Sequence, residues 1–110
     1  MDALRDMLVP RFGDRAFIAK SLPFYLEVAA PGVHKGVGCQ FVADLLGLDQ
    51  RHCVAIGDGE NDLELIDWAG FGIAVGGGHP ELIERAQWTA PSIDDDGVPR
   101  VLQAIAEARR

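Results

Sequence analysis

The sequence predicts an α/β fold built on parallel strands, and three observations carry that expectation. Cys53-Val-Ala-Ile56 and Phe71-Gly-Ile-Ala-Val75 are continuous apolar runs without polar alternation, as strands buried on both faces require. Each is followed by a stretch with helical character, residues 61–69 and 80–86, ended or opened by Gly70 and Pro80. Trp88-Thr-Ala90 reads as a weaker third strand before a last helix over 98–108. Strands that alternate with helices pair in parallel through right-handed crossovers.

The elements upstream follow in order. Residues 3–9 read as the end of a helix that Pro10 and Gly13 break. Residues 16–21 and 24–29 form two short strands, separated by Pro23 and neighbours in a sheet of their own. Pro31-Gly32 marks a loop. From Gly36 a helix is expected, with Val37, Phe41, Leu45 and Leu48 on one face, Val42 and Leu46 beside them, and Gly47 closing it in the left-handed conformation. In the last helix, Val98, Val101, Leu102 and Ile105 make the apolar face, and Asp94, Asp95 and Asp96 suit its N-terminal end.

The 110 residues allow at most one ordinary domain, and 48% hydrophobic with 25% charged residues is a normal globular mix. A net charge of -7 leaves no surplus of Lys and Arg to neutralise phosphates, so neither nucleic acid nor an anionic membrane surface is expected as a partner. The Arg109-Arg110 pair reads as a solvated tail. Cys39 and Cys53 read as buried free thiols, and no apolar run reaches transmembrane length, so a reducing, cytoplasmic setting is expected.

The stretch that carries chemistry is Ile56-Gly57-Asp58-Gly59-Glu60-Asn61-Asp62. Asp58 follows the carboxyl end of a buried strand, where open α/β sheets place their ligands. Gly57 and Gly59 permit close backbone approach. Asn61 and Asp62 open the next helix, whose N–H groups favour anions. Clustered carboxylates repel unless a cation lies between them, and hard oxygen donors with room for water suit Mg²⁺. An EF-hand loop from Asp58 would need Gly and Glu where Leu63 and Ala69 stand. A dinucleotide fingerprint would need Gly where Asp62 stands, and Asp58 and Asp62 would oppose a pyrophosphate. An acidic helix start that binds nothing does not explain an aspartate between two glycines at a strand end. Lys35, in His34-Lys35-Gly36, lies outside any P-loop pattern. The helix it opens can return it to the rim that carries Asp58.

The order Lys35-Gly36, amphipathic helix, Val54-Ala-Ile-Gly-Asp58-x-x-Asn61-Asp62, Ala69-Gly70-x-Gly72-Ile-Ala-Val75 and Asp96-Gly97-Val98 resembles the closing half of Cof-type phosphatases of the haloacid-dehalogenase-like (HAD) superfamily over residues 24–110. The resemblance implies part of a Rossmann-like three-layer core in residues 31–110, with residues 1–30 as the tail of a cap domain and the return to the core. It implies a Mg²⁺-dependent phosphoric-monoester hydrolase acting on a small phosphorylated metabolite. Asp58 would bind Mg²⁺, Asp62 would support the metal or the lysine, and Asn61 would lie near metal-bound water or phosphate. Lys35 would neutralise the nucleophile and the transferring phosphoryl group.

The family's nucleophile motif, an apolar strand followed by D-x-D-G-[TV], is expected upstream of Lys35 and is missing. Asp94-Asp95-Asp96-Gly97-Val98 matches it in form but follows Thr89-Ala-Pro-Ser92 rather than a buried strand, and reads as the turn before the last helix. Where relatives have Gly-Asn-Ala, this chain has Gly76-Gly77-Gly78-His79, with His79 expected at the surface. Ser21 and Ser92 lack a nucleophile elbow, and Cys39 or Cys53 with His34 or His52 shows no local pattern. Trp68, Phe71 and Trp88 are expected to pack helices on the sheet. The chain thus reads as truncated, with the 53–56 strand as an open edge able to pair with another chain. A catalytically inactive metal- or phosphate-binding module, or a subunit completed by another chain, is the alternative.

Overall fold

Alternation of buried strands and amphipathic helices produces two separate sheets in the computed structural model, which describes residues 1–22 and 24–109. Pro23 and Arg110, expected as a strand divider and part of a solvated tail, lie outside the described residues. Helix α1 (Asp2–Phe12) leads to β1 (Phe17–Leu22) and β2 (Tyr25–Ala29), which pair antiparallel. Helix α2 (Lys35–Leu46) leads to β3 (Val54–Gly57), α3 (Leu63–Trp68), β4 (Phe71–Gly76), α4 (Pro80–Arg85), β5 (Trp88–Ser92) and α5 (Gly97–Ala108). The second sheet has the order β3-β4-β5, all parallel.

Three layers result. Ala55 and Ala74 face one side of the sheet, where they bury Leu63, Ile66 and Ala69 of the α3 segment and Leu82 of α4. Ile73 and Ala90 face the other side and pack against Val101 of α5, with Ile56 and Ile105 partly buried beside them. The adjacent residues Ile73 and Ala74 therefore serve opposite layers, as the two-residue repeat of a strand dictates.

Several expectations change. Pro10 does not end α1, which runs on to Phe12. The helix has no buried residue, so the Asp6 carbonyl that loses its proline partner can turn to water. The α2 face assembled from Val37, Phe41, Val42, Leu45, Leu46 and Leu48 is exposed, Phe41 by 69% and Leu45 by 74%. The helix buries only Gly36 and Ala43. Of the α5 face only Val101 is fully buried, whereas Val98 and Leu102 are exposed. Phe71 and Trp88 are likewise exposed, and the thiols of Cys39 and Cys53 are free but only half-buried. β3 and β5 are the two edges of this sheet, and among the described residues no further strand pairs with either. The molecule is accordingly flat, 51 × 35 × 18 Å, with a radius of gyration of 15.2 Å, against about 13 Å for a compact chain of this length. Among the described residues no helix is long and apolar enough to cross a membrane.

Candidate active site

The turn after β3 is organised by Asp62. Its residue exposure is 5%. Oδ2 accepts the backbone N–H of Asp58 at 3.0 Å and of Gly59 at 3.1 Å. The Lys35 ammonium donates to Oδ1 at 2.5 Å. Burial works against the ionised form of Asp62. The Lys35 hydrogen bond, the Gly59 and Asp58 amides and the lysine charge together outweigh it, holding the carboxyl below its usual 3.8. A depressed folded pKa means the stabilisation is complete above 3.8 and is lost as pH falls through the lowered value. Below pH 3.8 the Asp58 and Gly59 amide resonances should therefore titrate together, with thermal stability falling over the same interval. Amides that stay fixed while stability falls would refute this role for Asp62.

Lys35 and Asp62 are brought together from positions 27 residues apart. Helix α2 begins at Lys35 because His34 caps it, Nδ1 accepting the Val37 N–H at 3.4 Å. It packs on α3, with the Trp68 indole N–H donating to Gln40 Oε1 at 2.7 Å. Gly36 is buried because its Cα lies close to the Glu64 carbonyl, which a Cβ would approach to 2.9 Å. These contacts return the lysine to the carboxyl end of β3. The Lys35 side chain stays 49% exposed, so part of its charge faces an open cavity.

That cavity, about 700 Å³, is lined by Lys35, Asp58 and Asp62 on one side and by Gly76-Gly77-Gly78 and Asp96-Gly97-Val98 on the other. The carboxylate of Asp58 is exposed and, among the described residues, accepts no hydrogen bond and pairs with no cation. The backbone behind it is fixed, since its carbonyl accepts the His79 N–H at 2.8 Å and a Cβ on Gly78 would lie 2.7 Å from that oxygen. A free aspartate on a rigid turn, with open space before it, suits a hard cation that keeps several waters and takes one or two carboxylates from the protein. Among the described residues no three acidic, cysteine or histidine side chains converge on a metal position.

The remaining expected residues fall into place unevenly. Asn61 is half-buried and its Oδ1 turns back over Gly59, so it lines neither this cavity nor the smaller one beside it. Both oxygens of Asp62 are taken, one by the lysine and one by the turn. Asp96 faces the cavity, while Asp94 and Asp95 form an exposed 3-10 turn with Ile93. A strand does precede that stretch, since β5 extends to Ser92 rather than stopping at Ala90, but Trp88 and Thr89 on it are exposed. Asp96 has φ +56, in the left-handed region, where it closes the 3-10 turn by donating its N–H to the Ile93 carbonyl at 3.2 Å. The Cys53 thiol donates to the Asp49 carbonyl at 3.5 Å rather than to a histidine. His79 is only half exposed, and its Nδ1 is buried with no partner among the described residues.

Glu60 is the site residue that sequence patterns miss. Its Oε2 accepts the Lys20 backbone N–H at 2.9 Å, and Oε1 receives the Arg5 guanidinium. It thereby ties the Asp58 turn to β1 and α1. Only its position inside the G-D-x-x-N-D element could have drawn notice, because its partners are 40 and 55 residues away.

The comparisons bear on the fold and the family. The family profile for haloacid dehalogenase-like hydrolases matches residues 1–102. The chain is 36% identical over 78 residues to the 5-amino-6-(5-phospho-D-ribitylamino)uracil phosphatase YitU of Bacillus subtilis, covering 71% of this chain and 29% of that protein. It is 38% identical over 86 residues to a phosphoglycolate phosphatase of Archaeoglobus fulgidus, covering 78% and 39%. The crystal structure of a haloacid dehalogenase-like hydrolase from Bacteroides thetaiotaomicron superposes with a TM-score of 0.73 at 28% identity, over 94% of this chain and 39% of that one. The chain thus spans well under half the length of the relatives it matches. With a parallel three-layer core, a lysine held by the aspartate that orders the turn, and this match over nearly its whole length, the chain belongs to the haloacid dehalogenase-like hydrolases.

Proposed function

We propose that this chain forms the lysine- and metal-bearing part of a Mg²⁺-dependent phosphoric-monoester hydrolase that acts on a small phosphorylated metabolite. The observation that carries the reading is the Lys35–Asp62–Asp58 arrangement at the carboxyl end of β3. Asp58 holds the cation, because its carboxylate is exposed and unpartnered among the described residues. The bound Mg²⁺ would supply electrostatic stabilisation to the phosphoryl oxygens. Lys35 keeps N–H donors beyond the one given to Asp62 and offers a positive charge to the transferring group. Asp62 acts through both, since it orients the lysine and fixes the amides of Asp58 and Gly59. Asn61 would reach metal-bound water or phosphate only by swinging from its place over Gly59, since it lines neither cavity. The nucleophilic carboxylate comes from a segment beyond these residues, and residues 1–30 are the tail of the cap. Two free cysteines fit a reducing, cytoplasmic setting.

A second reading, binding without turnover, draws on the lack of a third converging metal ligand among the described residues. One experiment separates the two. Mg²⁺ should shift the Asp58 and Gly59 amide resonances, and Asp58→Asn should weaken that binding by about a hundredfold or more, since loss of an outer-shell contact alone costs 10–100-fold. Turnover of an aryl phosphate by this chain, alone or completed by a partner, supports the hydrolase. Mg²⁺ binding without turnover in either setting supports the binding module, and an unchanged affinity in Asp58→Asn would sink both.

A further inference from the structure

The turn that carries Asp58 has little stiffness of its own. Gly57 and Gly59 flank the aspartate, and the 3-10 turn that follows, Glu60–Asp62, is three residues long. Its shape depends on tethers to other elements. Asp62 fastens the turn to itself and to Lys35. The His79 N–H fastens the Asp58 carbonyl to the loop after β4. On the side of β1 and α1 Glu60 is the tether, its two oxygens divided between the Lys20 N–H and the Arg5 guanidinium. The end of β1 lies close by, since Lys20, Ser21 and Leu22 share a cavity of about 320 Å³ with Asp58, Gly59 and Glu60.

The Glu60 contacts are partly withdrawn from water. Its side chain is 15% exposed and that of Arg5 is 26% exposed. The carboxylates of Asp2 and Asp6 also approach Arg5, at 4.0 and 3.5 Å, but they are 67% and 71% exposed and need no partner. A carboxylate held as far from water as that of Glu60 keeps its place only while a cation lies beside it. Without Arg5 it would turn outward to be solvated and would release the Lys20 N–H.

We propose that Glu60 is a positioning residue for Asp58. Clamped by Arg5 and Lys20, it holds the turn in the shape that presents the Asp58 carboxylate to a cation, so an arginine on α1 acts on the site without touching it. The cation rests on the hydrolase reading; the clamp does not. The sign of one charge separates positioning from simple electrostatics. Arg5→Met removes a positive charge, so charge alone would make Mg²⁺ bind more tightly. Loss of the clamp makes it bind more weakly. Helix α1 has no buried residue, so this variant should keep the fold.

The test titrates Mg²⁺ into the whole chain and follows the Asp58 and Gly59 amide resonances. Arg15→Met is the matched control, because Arg15 is exposed and lies over the Phe12 ring at 5.1 Å. Arg5→Met and Glu60→Ala should each move both resonances before metal is added, speed exchange of the Lys20 amide, and lower the Mg²⁺ affinity by about 2- to 30-fold. Arg15→Met should do none of these. Unmoved resonances in Arg5→Met, or a Mg²⁺ affinity that is unchanged or raised, would overturn the proposal. A wild-type chain that binds no Mg²⁺ would sink the hydrolase reading instead. The metal-free resonances then decide the clamp alone: moved in Arg5→Met they support it, and unmoved they refute it.

Discussion

Asp62→Ala is expected to destabilise the chain by about 3 kcal/mol, although the residue lies beside the turn rather than in the hydrophobic core. The variant deletes the acceptor for the amides of Asp58 and Gly59 and for the Lys35 ammonium at once. Hydrogen bonds to a charged group each contribute about 1.5–3 kcal/mol. The lysine contribution is discounted to well below about 1 kcal/mol because half of that side chain is in water and can be resolvated. The two amides, left without an acceptor in a half-buried turn, carry most of the loss. In a chain of this size the melting temperature should fall by roughly 12–20 °C. Lys35→Met removes only the solvated partner and should cost less than about 1 kcal/mol, while depriving the cavity of its positive charge. Asymmetry between the two variants in thermal unfolding is the check. Equal, small losses would mean that the turn holds its shape without Asp62 and that the aspartate serves another purpose.

Gly57→Ala should be at least as damaging, for a steric reason. A Cβ at position 57 would lie 2.6 Å from the Asp62 Cβ and 2.9 Å from its Oδ2. Neither atom can retreat, because the carboxylate is held by two amides and a lysine and the glycine itself pairs with Ala74 in the sheet. Forcing one methyl into such a site costs about 1–3 kcal/mol in strain, and losing the Asp62 contacts adds to it. Gly38→Ala is the matched comparison. It lies within α2 with nothing within 4 Å of the added carbon, so it should stabilise the chain by up to about 1 kcal/mol. Chemical denaturation of both variants decides the matter. A neutral Gly57→Ala would show that the aspartate and the strand end are not packed as described.

Much of this was legible in one dimension. The parallel sheet and a helix from about Gly36, observed from Lys35, follow from local signals: runs of Val, Ala and Ile, and Gly47 as the closing glycine. The position of Asp58 past the end of β3 follows from the same signals, since a strand's end and a turn's glycines are set by a few adjacent residues, although that strand is only partly buried and Val54 on it is exposed. Periodicity placed apolar residues at helical spacing in α2 and α5. It could not say that Phe41, Leu45, Val98 and Leu102 are exposed, because exposure depends on whether another element lies opposite.

What only the tertiary structure decided is the division of labour among the acidic residues. Asp58, Glu60 and Asp62 lie within five positions and look alike in sequence. Asp62 is buried under the turn and neutralised by Lys35, Glu60 is tied to Lys20 and Arg5, and Asp58 alone keeps a carboxylate unpartnered among the described residues. The physical reason is that a carboxylate's role is set by the donors that reach it through space. The Lys35, Lys20 and Arg5 donors come from 27 to 55 residues away, at separations that only the packed chain closes.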